Sequence, residues 1–298
     1  MDRIDAMRLF LRVSELGSFS KAADEANIGQ PTVSRRIQEL ETQIGAQLFR
    51  RTTRALSLTE SGTRFYARAQ AIVSEFDEAR AEARGLEDEP VGLLRVTASN
   101  GFSRFLLSPH LPGFMRLYPH IRVEIIATEK AIDLVEEGVD LAFRFGALSD
   151  SSLTARKIGA TARHLYATPV YLDARGRPET PDDLLDHDCL LLAPTGQTAR
   201  WSLSKGDDKR SIELQGRFRA TSAELIRDAV LADMGVALTP CFIVRSELET
   251  GALEIVLDDW AYAKLPIHAV WPTGRMLPRK ARVFLDYIEE RIKPQFGD

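Results

Sequence analysis

Gln30, Pro31, Thr32, Ser34 and Arg35 share a short stretch in which Val33, Ile37 and Leu40 recur at intervals of four and three. A helix turns about 100° per residue, so the three apolar side chains form one stripe. Pro31, Arg35 and Gln38 then lie opposite it, with Gln30, Thr32 and Ser34 on its flanks near the N-terminal end. Amide, guanidinium and hydroxyl groups presented from the first turns of a helix are the groups that hydrogen-bond base edges in the DNA major groove. The chemistry indicated is recognition rather than bond-making.

Such a face needs elements to hold it. Residues 19–26 read as a short preceding helix, with Ser20 as its cap and Ala22, Ala23 and Ala26 small enough for close helix approach. Asn27-Ile28-Gly29 reads as the turn, and Pro31 suits a first helical turn. Two helices joined this way make a helix-turn-helix, although a pair of ordinary surface helices shares the pattern, and the neighbouring segments decide. Residues 1–17 supply a supporting helix through Ala6, Phe10 and Val13, widened by Leu9 and Leu16. Residues 41–49 direct Ile44, Leu48 and Phe49 inward, with Gly45 ending the helical run. Arg50, Arg51, Thr52, Thr53 and Arg54 form a basic tip, and Leu56 and Leu58 then alternate with Ala55, Ser57 and Thr59 as a strand does. This is a wing whose arginines reach phosphate or the minor groove; a solvated loop is the plainer alternative.

From residue 59 to about 86, Phe65, Ala69, Ile72, Phe76, Ala79, Ala83 and Leu86 keep intervals of four and three over three repeats. That seam predicts a coiled-coil partner and therefore a dimer; the alternative is one amphipathic helix lying on the following domain. Residues 85–90, charged and bounded by Gly and Pro, mark the end of the linker.

The whole chain agrees with this division. Its 298 residues, 44% hydrophobic, suffice for two domains. The net charge of −4 is unevenly spread, because residues 1–58 carry nine Lys/Arg against seven Asp/Glu. Arg35, Arg36, Arg50, Arg51 and Arg54 face only Glu39 and Glu41 within twenty residues, a basic footprint suited to phosphates. No run of 18 apolar residues exists, and the charged N-terminus lacks the apolar core of a signal peptide, so a cytoplasmic protein without membrane contact is expected. Cys189 and Cys241 have neither a CxxC nor a His partner and read as two buried thiols, a redox pair being the minor alternative.

After residue 90 the grammar becomes βαβαβ: strands at 93–97, 121–128 and 139–145, with helices at 102–118 and 131–137. Parallel sheets bind ligands at the carboxyl ends of their strands, here Ser99-Asn100, Thr128-Glu129 and Phe145-Gly146. A second α/β set follows: strands at 165–167 and 189–192, a hairpin of 201–204 with 211–220, a helix from a Thr221-Ser222 cap to about Met234, and a strand at 236–239. A strand at 267–271 and a helix at 278–292 close the chain. There is no G-x-S-x-G, G-x-x-x-x-G-K-[ST], H-E-x-x-H or G-x-G-x-x-G, and the five histidines are scattered. No enzyme, metal site or cofactor is expected, and an exported solute receptor would need a signal segment.

The chain resembles the LysR-type transcriptional regulators over its whole length. The N-terminal resemblance rests on Phe10, Gly17-Ser18-Phe19-Ser20-Lys21-Ala22-Ala23, Gln30-Pro31-Thr32-Val33-Ser34-Arg35-Arg36-Ile37, Leu40-Glu41, Gly45, Leu48-Phe49-Arg50-Arg51 and Leu58-Thr59-Glu60-Ser61-Gly62. Leu94-Arg95-Val96, Tyr118-Pro119, residues 133–138 and residues 140–144 are similar to the family's effector-binding domain. Gly29 departs from the pattern, since Ser or Thr is commoner there. The resemblance implies a multidomain protein: an N-terminal winged helix-turn-helix (1–58, mainly α), a long linker helix that dimerises (59–89), and a two-lobed α/β periplasmic-binding-protein-like domain (90–298). Lobe I would hold about 90–162 plus 267–298, and lobe II about 163–266. By position it implies groove contacts from Gln30, Pro31, Thr32, Ser34 and Arg35, backbone contacts from Ser20 and Arg36, and wing contacts from Arg51 and Arg54. The partners implied are double-stranded operator DNA, a small-molecule inducer between the lobes, and further copies of the chain, as a dimer and then a tetramer. Ser99, Asn100, Thr128 and Thr221 are the polar groups nearest that cleft, with Phe102 and Phe145 as walls. The helix N-terminus after Ser99 favours an anion, hence a small organic acid, although Ser99 and Thr221 could equally serve as local caps.

Overall fold

Asp2 opens the first helix by accepting the N–H of Ile4 at 3.1 Å, and Gly17 closes it in the left-handed region at φ 60°. The computed structural model describes residues 2–51, 56–83, 90–148, 153–193, 199–273 and 276–296. This first helix, α1 (Arg3–Leu16), is followed by α2 (Phe19–Glu25) and α3 (Gln30–Ile44). Phe10, Val13, Val33 and Ile37 are fully buried and meet Ala22, Ala23 and Leu40 in one core, so the stripe read from the sequence is the packed face. Two details differ. The hydroxyl that caps α2 is that of Ser18, which accepts the N–H of Lys21, whereas Ser20 lies inside the first turn and is exposed. Ile44 is exposed as well: α3 runs unbroken to it before Gly45 stops the helix, and the inward positions pass to Leu48 and Phe49.

Antiparallel β1 (Phe49–Arg51) and β2 (Leu56–Leu58) form the wing, with Phe49 opposite Leu58, and α4 (Glu60–Ala83) is the linker helix. The body beyond residue 90 begins with β3 (Gly92–Ala98), α5 (Leu111–Leu117), β4 (Ile121–Ala127), β5 (Leu141–Phe145) and β6 (Leu153–Thr161). Next come β7 (Arg163–Ala167), α6 (Pro169–Arg175), β8 (Cys189–Leu192), β9 (Ala199–Lys205), β10 (Asp208–Leu214), β11 (Phe218–Ala220) and α7 (Ala223–Leu231). The chain ends with β12 (Val236–Pro240), α8 (Arg245–Glu249), β13 (Glu254–Val256), β14 (Leu265–Pro272) and α9 (Arg279–Ile292).

These strands make two five-stranded sheets, ordered β4-β3-β5-β14-β6 and β11-β8-β12-β7-β13, with the β9–β10 hairpin separate. β3 lies parallel to β4 and β5, as the βαβ pattern requires, while β14 returns antiparallel between β5 and β6. The chain leaves the first sheet after Thr161 and re-enters it at Leu265, which gives the body two lobes.

Several sequence expectations need correction. Residues 131–137 are not helical: the Asp133 carboxylate accepts the N–H groups of Val135 and Glu136, which folds the segment into a turn ending at Gly138. The predicted 102–118 helix breaks into a π turn (Phe102–Leu107), a 3-10 turn (Ser108–His110) and α5. The 211–220 strand divides into β10 and β11 at Gly216, where a Cβ would overlap the Cys189 carbonyl oxygen. Ser222, not Thr221, caps α7, which ends at Leu231, and Thr221 is exposed. β6 and β13 were not expected at all.

Candidate nucleic-acid interface and effector cleft

The apolar stripe turns the other face of α3 to solvent. Gln30, Pro31 and Arg35 are exposed, with Thr32, Ser34 and Arg36 half-buried beside them. Gly29 is the N-cap in an extended conformation and makes no side-chain cap bond. The Arg35 guanidinium lies 3.8 Å from Glu39, with 73% of its own side chain and 51% of the partner's exposed, a pair weak enough to yield to a base or phosphate.

The wing is fixed to α3 through the backbone of Leu48. The buried Glu41 carboxylate accepts the N–H of Leu48 at 2.7 Å and of Phe49 at 3.1 Å. On the other side the Leu48 carbonyl accepts the N–H of Thr59 at 2.9 Å, and the Thr59 hydroxyl accepts the N–H of Gly62 at 2.9 Å, capping α4. Gly62 is required here because a Cβ would overlap the Leu48 oxygen. Helix α3, the wing and α4 therefore meet at one residue. Arg50 is exposed on β1. Only the strand backbone of Arg51 is described, and Arg54 lies outside the described residues.

The seam on α4 is divided between two uses. Phe65, Tyr66, Ala69 and Val73 pack on the α1 core, with Phe65 5.3 Å from the Phe10 ring, and Asp77 pairs with Arg8. The seam thus begins inside its own domain, contrary to the expectation of a partner throughout. Ile72 and Phe76 remain 40% exposed each. The Ala83 side chain and Leu86 lie outside the described residues.

At the carboxyl ends of β3 and β4 the predicted polar residues do converge. The Thr128 N–H donates to the Ala98 carbonyl, the Ser99 hydroxyl accepts the N–H of Phe102, and the Asn100 N–H donates to Glu129 at 2.9 Å. The N-terminus expected to attract an anionic ligand thus already holds the chain's own carboxylate. Partial desolvation of a side chain that still reaches solvent, with the nearby Glu224 carboxylate adding, raises the Glu129 carboxyl from its usual value against the opposing Asn100 hydrogen bond. The second lobe approaches closely: a Cβ on Gly101 would lie 2.7 Å from Ile243 and 3.7 Å from Glu224. Phe102 is no open wall. It is fully buried and stacks on Phe143 at 4.7 Å, whereas half-buried Phe145 stacks across the cleft on Phe242 at 6.0 Å. Thr221 stands at the rim, exposed, while Ser222 bonds Glu224 at 2.6 Å. Sequence reasoning missed Glu41 and Glu224, since acids on helices read as solvated charges.

Cys189 is buried, donates to the Leu184 carbonyl, and has its thiol pushed up to about 12 by burial; Cys241 is only half-buried. Among the described residues no three His, Cys, Asp or Glu side chains converge as metal ligands, and no helix is long and apolar enough to cross a membrane.

A winged helix-turn-helix joined by a long helix to a two-lobed α/β body defines a DNA-binding regulator with a ligand-binding-type domain. Comparison with known proteins gives the family. Residues 4–63 match the bacterial regulatory helix-turn-helix of the lysR family, and residues 87–293 match the LysR substrate binding domain. An uncharacterized HTH-type transcriptional regulator of Haemophilus influenzae is 36% identical over 280 residues, covering 94% of this chain and 97% of that one. The structure of CrgA, a LysR-type transcriptional regulator from Neisseria meningitidis, superposes with a TM-score of 0.64 at 33% identity, covering 97% of this chain and 98% of that one. The full-length structure of the Vibrio cholerae virulence activator AphB gives 0.59 at 30% identity, covering 96% and 98%. The chain belongs to the LysR-type family: it is a DNA-binding transcriptional regulator with an effector-binding domain.

Proposed function

We propose that α3 enters the major groove of an operator, with Gln30, Pro31, Thr32, Ser34 and Arg35 at base edges, Ser20 and Arg36 on phosphates, and Arg51 and Arg54 as wing contacts. The exposed polar face of α3, set on a buried stripe and tied to the wing through Glu41, carries this reading. Residues 1–58 serve as the DNA-binding unit, 59–89 as linker and dimerisation helix, and 90–298 as the effector-binding domain, in the cytoplasm. Ile72 and Phe76 supply the dimer contact, so two recognition helices address half-sites about 10 base pairs apart, and two dimers make a tetramer. A small-molecule inducer between the lobes shifts the pose of those helices. Glu129 already occupies the N-terminus after Ser99, so an organic acid would have to bind elsewhere between the lobes.

A gel shift of the full chain with its gene's own upstream region tests the reading. Binding that weakens steeply with salt is expected, since phosphate contacts release counterions. Turnover of a substrate without DNA binding would place the chain among enzymes instead.

A further inference from the structure

The linker helix carries another contact, on the side away from its seam. Ala67 is 4% exposed because Gly138 of the first lobe lies against it: at φ +62°, a Cβ on Gly138 would sit 3.2 Å from both Cα and Cβ of Ala67. Gln70, Ala71, Gly138, Val139, Asp140 and Lys280 line a cavity of about 20 Å³ beside this contact, room for one water. Gln70 has its Oε1 buried without a hydrogen-bond partner. The lobe side of the contact is stiff. Asp140 pairs with the buried Lys280 at 3.1 Å and accepts the Arg95 N–H at 2.9 Å, while Lys280 donates to the Leu93 carbonyl at 2.6 Å. A second tie joins the same two bodies, Glu15 of α1 lying 3.7 Å from Arg122 of β4.

Residues 128–138 connect this contact to the cleft. At their start, Thr128 is bonded to Ala98 and Glu129 accepts the Asn100 N–H, one residue before the Gly101 that meets the second lobe. At their end stands Gly138 on α4. In between there is no helix or strand, only the turn held by Asp133. Leu134, midway along it, is buried with Val139, Ala142 and Val270, so the part of the segment that reaches Gly138 moves with the first lobe's core and carries displacement instead of absorbing it.

We propose that residues 128–138 couple the cleft to the DNA-reading unit: movement of the second lobe against Gly101 displaces Glu129, and the Gly138 end carries that displacement to Ala67 and thus to the pose of α3. This rests on the regulator reading above. No ligand is needed to test it, because Glu129→Ala removes the acceptor of the Asn100 N–H and so releases the cleft end directly.

The experiment is nuclease footprinting of the full chain on its own upstream region. In the variant Ala67→Cys/Gly138→Cys, with Cys241→Ser, the facing Cβ atoms come within small relaxation of disulfide distance. Oxidation should cross-link them within one chain. The reduced protein should show shifted protected or hypersensitive bands when Glu129→Ala is added, and the oxidised protein, its contact tied covalently, should keep that shift; Asp133→Ala, which loosens the turn between the two ends, should abolish it. Bands unmoved by Glu129→Ala, a shift lost on cross-linking, or one that survives Asp133→Ala would overturn the proposal. Because Cys at a positive φ is strained, the second tie gives another test: Arg122→Ala removes it while leaving the 2.6 Å Glu15–Arg12 pair intact, and should shift the footprint; an unchanged footprint counts against the coupling. A wild-type chain that protects no DNA would strike the regulator reading itself; a wild type that protects DNA with unresponsive variants would strike only this inference.

Discussion

Glu41 holds Leu48. The carboxylate near the end of α3 accepts the backbone N–H of the residue that leads into the wing, at 2.7 Å and out of solvent, so helix and wing keep one mutual angle. Glu41→Ala leaves the N–H groups of Leu48 and Phe49 buried without an acceptor, which costs ~1–3 kcal/mol for a lost charged acceptor. Glu41→Gln, which keeps an acceptor oxygen, should lose less. Thermal unfolding followed by far-ultraviolet circular dichroism measures this; Trp201, Trp260 and Trp271 all lie beyond residue 90 and would not report on it.

Gly29→Ser should be tolerated and slightly stabilising. Gly29 has φ −69°, and a Cβ there would make only ordinary contacts, 3.7 Å to Pro31 and 4.0 Å to Thr32. The added hydroxyl can cap α3, worth a few tenths of a kcal/mol by roughly the usual Gly-to-Ser difference. A small rise in melting temperature is the expected result, and a fall would show that the position is needed bare.

Phe76→Asp should break the proposed linker-helix dimer without unfolding the N-terminal unit, because Phe76 is exposed while the α1 contact is made by Phe65, Ala69 and Val73. Sedimentation should report a smaller species, and operator affinity should fall by about a hundredfold or more as the second half-site is lost.

Glu129 gives the stability a pH dependence. Its native pKa is raised, so the unfolded chain ionises first as pH rises. The group favours the folded state below the usual carboxylate pKa, and that contribution is lost as pH rises through the native value. Glu129→Gln should therefore melt higher than wild type at pH 7, with the gap closing towards about pH 4, where the unfolded carboxylate is also protonated. A gap that widens in acid would reverse the sign of the argument.

Local periodicity made much of the architecture legible. The Val33, Ile37, Leu40 stripe is buried as read, and in the closing helix Ala281, Leu285, Ile288 and Ile292, which recur at four, three and four, are buried too. β6 was invisible because it is an edge strand with only Ile158 and Thr161 buried, and its pairing comes from β14 more than a hundred residues later. Residues 131–137 carry helical spacing, but Asp133 caps only a single turn, closed by the Glu137 N–H on the Asp133 carbonyl and ended by Gly138 in the left-handed region, a length that periodicity does not register. For the interface, residue type and spacing sufficed to place Gln30 and Arg35 outward. For the cleft they did not, since the partner of the Asn100 N–H is an acid on another strand's end.

Arg35 is the side chain that tests most directly whether the outward face of α3 reads sequence. The measurement is the affinity of wild type and Arg35→Ala for a panel of single-base-pair operator variants at one salt concentration. Arg35→Ala should lose discrimination at one base pair in each half-site, by the ~1–3 kcal/mol of a bidentate arginine–guanine contact, while the other positions keep theirs. An affinity loss spread evenly over every variant, with the preferred sequence unchanged, would contradict it.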